Sequence, residues 1–220
     1  MVSINSAIRL SLILLLFSFL IGLTLNISFC FILFLYFFIQ IIYCFYLKNI
    51  PLIEFFCIAS GFIIRSTAGG IASGLFISYW FLLSIGMLSL YLAIEKRKGE
   101  LINLKNKKVF TRKVLKYYNL SLINKFESLF TSCLVITYSL WAYGPIIGGA
   151  KSQWMMITIP LVILGVFRYQ MLSEKPILKL KSNLKINLLE SPEFVILRDK
   201  PIQIIISFWL LITLFIGLFL

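Results

Sequence analysis

The chain has 220 residues, 60% of them hydrophobic and 13% charged, with a formal net charge of +13. Its mean hydropathy of +0.99 excludes a soluble domain, whose surface could not carry that much apolar area, and makes a lipid bilayer the solvent. The positive charge does not point to nucleic acid, because the basic residues lie in short segments between apolar blocks, where they act as topological anchors.

The blocks are about 20 residues long, the length an α-helix needs to cross about 30 Å of hydrocarbon. They predict an all-α, polytopic transmembrane helix bundle forming a single domain over 1–220, with about seven spans near 5–25, 27–47, 51–71, 78–95, 121–142, 153–171 and 202–220. The first block starts within a few residues of Met1 with no basic leader, which predicts a span and not a signal peptide. A tight turn at Asn26 leads to the second, and Pro51 opens the third, which is expected to end at Gly69-Gly70. The fourth runs out into Glu95-Lys96-Arg97-Lys98. Cys30, Cys44, Cys57 and Cys133 all lie inside apolar blocks without metal-ligand spacing or any histidine, and read as small core residues.

Two basic loops are expected, near 95–118 and 173–200, while the opposite loops carry Lys151 and no other basic residue. Positive charge in short loops is retained in the cytoplasm, so this asymmetry predicts a multi-pass protein of the cell (inner) membrane with the N-terminus inside and the C-terminus outside.

Ionisable residues inside spans cost several kcal/mol unless paired or hydrated, about 3 kcal/mol on insertion scales, and are the default functional candidates. Glu54 and Arg65 sit in the third block, about 16 Å apart along a helix. Glu54, Gly61, Arg65 and Gly69 are spaced by seven, four and four, on one stripe. Two readings of Arg65 stand side by side, a structural arginine capping carbonyls or pairing between helices and a cationic lining for a phosphate-bearing ligand. Lys48 and Arg168, the latter followed by Tyr169, end the second and sixth blocks, either as snorkelling anchors or converging with Lys96 and Arg97 on one cytoplasmic mouth. The eight acids include a single aspartate, Asp199. Glu54, Glu95, Glu100, Glu193 and Asp199 are too few to assemble two metal sites.

The order of these features resembles the UbiA superfamily of intramembrane transferases. Leu47-Lys48-Asn49-Ile50-Pro51-Leu52-Ile53-Glu54, Gly61-Phe62-Ile63-Ile64-Arg65 with Ala68-Gly69-Gly70-Ile71-Ala72, and Ile77-Ser78-Tyr79-Trp80-Phe81-Leu82-Leu83 are similar to the branch that makes decaprenyl-phosphoryl phosphoribose. A Lys-Arg-x-x-Glu motif at a helix end is matched by Lys96, Arg97 and Glu100, and Phe167-Arg168-Tyr169, Ser191-Pro192-Glu193 and Asp199-Lys200-Pro201 follow in order.

The resemblance implies a nine-helix bundle around a cavity open to the cytoplasm and to lipid. It implies transfer of a 5-phosphoribosyl group from phosphoribosyl diphosphate to a polyprenyl phosphate, with Mg²⁺ assisting the diphosphate. Lys96, Arg97 and Glu100 would be catalytic, with Glu100 also a metal ligand. Lys48, Arg65, Arg168 and Tyr169 would contact substrate phosphates, with Glu54, Asp199 and Lys200 as further candidates. The family's Asn-Asp-x-x-Asp-x-x-x-Asp motif has no counterpart, and Met1–Ala7 resembles the start of the family's third helix. The seven spans therefore read as nine minus two, from a start assigned too late or from a true fragment in which diphosphate binding is compromised. A prenyltransferase acting on a prenyl diphosphate and an aromatic or other acceptor, and a non-catalytic membrane fragment, are the alternative readings.

Overall fold

The computed structural model describes residues 3–107, 113–174 and 192–219. Helices α1 (Ile4–Leu25), α2 (Ile27–Phe45), α3 (Ile53–Ser73), α4 (Tyr79–Lys107), α5 (Leu120–Ala142), α6 (Ile159–Glu174), α7 (Pro192–Arg198) and α8 (Lys200–Phe219) follow one another in chain order. Among the described residues, seven helical segments are long and apolar enough to cross a membrane, and the chain is a multi-pass membrane protein with an all-α fold. Neighbours in sequence are neighbours in space: α1 packs on α2, α2 on α3, α3 on α4, α4 on α5, and α6 on α8.

Short side chains and backbone geometry set the helix ends. Ser3 accepts from Ser6 N–H at the start of α1, Asn26 accepts from Ser28 N–H at the start of α2, and Asn119 accepts from Leu122 N–H at the start of α5. Each occupies one of the donors that a helix start leaves unpaired. Beyond α2, a 3-10 turn over Leu47–Asn49 leads to Leu52, the one non-glycine residue with positive φ (66°) among the described residues. Its amide donates to the Tyr118 hydroxyl at 2.8 Å, which ties this sharp entry into α3 to the turn preceding α5.

Two expected boundaries are corrected. Helix α3 does not end at Gly69-Gly70 but continues to Ser73 and stops at Gly74, whose φ of 66° is the left-handed cap that favours glycine. Helix α4 does not stop near Glu95. It continues to Lys107, because Glu-Lys-Arg-Lys is a run of good helix formers and Arg97 and Glu100 pair one turn apart. The first part of the expected loop near 95–118 is thus helical, and it reaches into the protein: Arg97 is 1% exposed and Lys98 4%.

Three apolar clusters hold the bundle. One joins α3, α4 and α5 around Phe55, Ile94, Val114 and Ile123. Another joins α4, α5, α6 and α8 around Tyr91, Leu134, Tyr169 and Ile202. The third lies at the far end around Tyr138, Ala142, Met155 and Ile216. There the Tyr138 hydroxyl meets the Thr158 hydroxyl at 2.6 Å and accepts from Trp209 Nε1 at 2.7 Å, a polar node joining α5 and α8 through the turn before α6. Leu, Ile and Phe side chains on α1, α2 and α8 remain widely exposed, as helices surrounded by hydrocarbon require.

Candidate functional site

Glu54 and Arg97 form the most buried charged pair at the basic end of the bundle. The tight turn at Leu52 sets Glu54 into the first turn of α3, where an acid also complements the helix dipole, and Glu54 is 0% exposed. Arg97 Nε lies 3.1 Å from both Glu54 carboxylate oxygens and Nη2 lies 2.8 Å from Oε2. Its remaining nitrogen, Nη1, reaches Glu100 Oε1 at 2.6 Å. All three guanidinium nitrogens are therefore engaged, in the fork geometry that arginine offers and lysine does not.

This arrangement divides the Lys96-Arg97-x-x-Glu100 motif. Arg97 and Glu100 join α4 to α3, whereas Lys96 is half-buried one residue away and makes no ion pair among the described residues. Lys48 is exposed on the turn before α3, and that turn packs against residues 113–117. These groups share one end of the molecule, and no direct contact joins Lys48 to Lys96.

Arg65 stands apart from that cluster, midway along α3 and exposed. Its Nε donates to Gly61 O at 3.1 Å, and its guanidinium lies 4.4 Å from the Phe62 ring centroid and 5.7 Å from that of Tyr36. The stripe of α3 splits accordingly. Gly61 is buried because Gln40 and Tyr36 of α2 come close, with a Cβ there falling 3.1 Å from Gln40 Nε2, while Gly69 has open space around it. Arg65 caps a carbonyl and still presents charge.

Arg168 ends up on Asp199: Nη2 to Oδ2 is 2.8 Å and Nε to Oδ1 is 3.3 Å. Asp199 also accepts from Ile202 N–H at 3.0 Å and so caps α8. Burial pushes the Asp199 carboxyl up, but the hydrogen bonds from Arg168 and Ile202 and the charge of Arg168 outweigh it and hold the group below the usual aspartate range. Lys200 is exposed at the start of α8. Tyr169 is buried and packs edge-on against Tyr91 at 5.9 Å. Ser191 of the Ser191-Pro192-Glu193 segment and Lys108, Arg112, Lys175, Lys179, Lys181 and Lys185 of the basic loops lie outside the described residues.

A buried acid on α5 escaped the sequence reading. Glu127 is 4% exposed and accepts from Lys98 Nζ at 2.5 Å, and Glu95, 3% exposed, lies in the same region of α4. The signal was present in the sequence, since Glu127 is an ionisable residue within the fifth apolar block. Among the described residues, no three acidic, histidine or cysteine side chains come together to hold a metal. Glu100, expected as a ligand, has one oxygen on Arg97, and Glu54 and Asp199 are taken by arginines. The described donors do not fit a complete Mg²⁺ site.

No protein-family model matches the chain. It is 27% identical over 179 residues to the decaprenyl-phosphate phosphoribosyltransferase of Mycolicibacterium smegmatis, covering 78% of this chain and 53% of that one. It is 28% identical over 171 residues to the enzyme of that name from Mycobacterium tuberculosis, covering 78% and 52%. The Corynebacterium glutamicum protein of the same name is 30% identical over 132 residues, covering 60% and 40%. The chain spans about half the length of these curated relatives. A UbiA homologue from Archaeoglobus fulgidus, solved with Cd²⁺ bound, superposes with a TM-score of 0.62 at 17% identity, covering 88% of this chain and 71% of that one. By fold the chain is similar to the UbiA homologue of Archaeoglobus fulgidus, and by sequence it is similar to the decaprenyl-phosphate phosphoribosyltransferases over about half of their length.

Proposed function

We propose that the chain is the membrane-embedded part of a transferase that moves a 5-phosphoribosyl group from phosphoribosyl diphosphate to a polyprenyl phosphate. The observation that carries this reading is the basic end, where Arg97 is fixed by Glu54 and Glu100 beside a half-buried Lys96. A phosphate oxygen of the lipid attacks the anomeric carbon of the ribose as the bond from that carbon to the diphosphate breaks. Negative charge develops on the departing diphosphate, and preorganised cations at that position lower the barrier. Lys96 is assigned to the diphosphate, with Lys48 and Arg65, which also make no ion pair among the described residues, as further phosphate contacts. Arg97 acts through the geometry it imposes on α4.

The orientation that suits a soluble sugar donor places this end in the cytoplasm, in a cell membrane. Mg²⁺ dependence belongs to the same reading on the strength of the family resemblance and the metal in the Archaeoglobus protein. The described donors form no complete site for it, so any ion is held in part by groups beyond them.

Membranes from cells expressing the gene, together with any in-frame sequence preceding Met1, provide the test. Labelled phosphoribosyl diphosphate and decaprenyl phosphate should give a labelled, acid-labile lipid in the presence of Mg²⁺. Lys96→Ala should reduce the rate by about 10²-fold, the scale for removing one transition-state charge donor, without lowering the melting temperature. Transfer from a labelled prenyl diphosphate to an aromatic acceptor instead would replace this reading with a prenyltransferase, and no product from either would leave a non-catalytic membrane protein.

A further inference from the structure

Two short turns meet at the basic end of the bundle. The 3-10 turn over Leu47–Asn49 follows α2, the 3-10 turn over Lys113–Tyr117 precedes α5, and the two pack against each other. Val114, Leu115 and Tyr118 point inward and join the cluster of α3, α4 and α5. The Tyr118 hydroxyl receives the Leu52 amide at 2.8 Å and its ring packs on Phe55, so both turns rest on one support.

What the turns leave outside is matched. The first presents Tyr46, 73% exposed, and Lys48, and the second presents Lys116 and Tyr117, 68% exposed. No acid occurs in 46–53 or in 113–126, and the acids that follow, Glu54 and Glu127, are buried on Arg97 and Lys98. The exposed surface is therefore positive and aromatic. Its depth is set by the spans: Tyr46 and Lys48 lie just past the end of α2 at Phe45, and Lys116 and Tyr117 just before the start of α5 at Leu120. At about 2 Å per residue in a 3-10 turn, all four fall within about 8 Å of the hydrocarbon edge, the level of the lipid headgroups. Tyrosine favours that level because its ring is apolar and its hydroxyl is wet, and lysine there is drawn to anionic lipid. A phosphate at this depth comes from a lipid rather than from solution.

We propose that the two turns form a binding site for the headgroup of an anionic phospholipid, with Lys48 and Lys116 on its phosphate and Tyr46 and Tyr117 against its glycerol and upper acyl segments. The assignment is independent of the transferase reading. Lys48 belongs to both, so the test rests on Lys116 and Tyr117, which that reading does not use.

The full chain in dodecyl maltoside micelles is melted with increasing dioleoylphosphatidylglycerol, with dioleoylphosphatidylcholine, or with inorganic phosphate. A ligand of the folded state raises the melting temperature by mass action. Phosphatidylglycerol should raise it saturably, and phosphatidylcholine and inorganic phosphate should not. Lys116→Gln should raise the half-saturating mole fraction about fivefold, which corresponds to about 1 kcal/mol. Lys151→Gln, which removes the same charge from an exposed position in the turn between α5 and α6, should leave it unchanged. Should Lys116→Gln not fold, Tyr117→Ser should weaken phosphatidylglycerol about threefold. Unchanged half-saturation in the folded variant overturns the proposal, as does equal weakening by Lys151→Gln, the absence of a saturable rise, or an equal rise with phosphatidylcholine. A saturable rise with inorganic phosphate also overturns it and makes the turns a site for a soluble phosphate.

Discussion

Arg97 shows how burial changes the meaning of a charged motif. A lysine at this position could neutralise one acid, but it could not span Glu54 and Glu100 with three separate nitrogens. Because Glu54 is fully buried, removing it strands a guanidinium inside the protein. Glu54→Ala should therefore destabilise the fold by about 3–5 kcal/mol, the cost of breaking a buried pair from one side. Replacing both partners, as in Glu54→Leu with Arg97→Met, should recover most of that loss, because buried pairs exchanged for apolar side chains of similar volume are often neutral. Thermal melts of the two variants in detergent decide the matter, and a double variant as unstable as the single one would contradict the account. Asp199 behaves differently because it titrates outside the spans. Its folded value lies below the unfolded one, so its contribution to stability is complete above the ordinary aspartate value of about 4 and is lost as pH falls through the lower folded value. Asp199→Asn should flatten that part of the stability profile, measured as melting temperature between about pH 5 and pH 2.

At the scale of elements, the turn from α2 into α3 concentrates the strain of the basic end. Leu52 holds a positive φ, a conformation costing about 1–3 kcal/mol in a residue with a Cβ. The hydrogen bond from its amide to Tyr118 and the packing of Phe55 on the Tyr118 ring, with centroids 5.5 Å apart, offset it. Burial, aided by the neighbouring Glu54, raises the Tyr118 phenol above its usual value and keeps it neutral as an acceptor for Leu52 N–H. Tyr118→Phe should keep the ring contact and lose about 1–3 kcal/mol by leaving that amide unpaired. Hydrogen exchange at Leu52 and Ile53 should rise in this variant, and unchanged protection would refute the role. None of this was legible in the sequence, because a positive φ at leucine has no composition signal and Tyr118 lies 66 residues away. The spans themselves were legible, since about 20 apolar residues leave few alternatives to a helix in lipid. The end of α4 was not. Charge marked Glu95–Lys107 as loop, yet the helix continued because Arg97 and Lys98 found buried acids on α3 and α5. For the same reason the candidate residues were recognisable one by one while their partners were not: Arg168 gave no sign of being bound to Asp199, 31 residues away.

For the whole molecule, the asymmetry of charge connects fold to function. Lys48, Lys96, Arg97, Lys98, Lys116, Arg168, Arg198 and Lys200 gather where α2, α4 and α6 end and α3, α5 and α8 begin, whereas the turn between α5 and α6 carries Lys151. At the opposite end, Trp80 Nε1 donates to Ile147 O at 2.9 Å and the Ser78 hydroxyl donates to Gly148 O at 2.5 Å, so the loop bearing Lys151 is fastened to the start of α4. One end is thus charged and built from ion pairs, and the other is nearly neutral and closed by hydrogen bonds to backbone. Under the proposed function, the positive-inside rule would put the first end in the cytoplasm, where the proposed phosphoribosyl diphosphate donor would reach Lys96. Lys48 and Lys151 are both exposed and lie at opposite ends, which makes them a matched pair of reporters. With Cys30, Cys44, Cys57 and Cys133 changed to serine, Lys151→Cys should react with a membrane-impermeant maleimide on intact cells, and Lys48→Cys only after lysis. The reverse pattern would turn the molecule over and put Lys96 and Arg97 on the wrong side for a cytoplasmic donor, removing the proposed transfer whatever the activity of purified membranes.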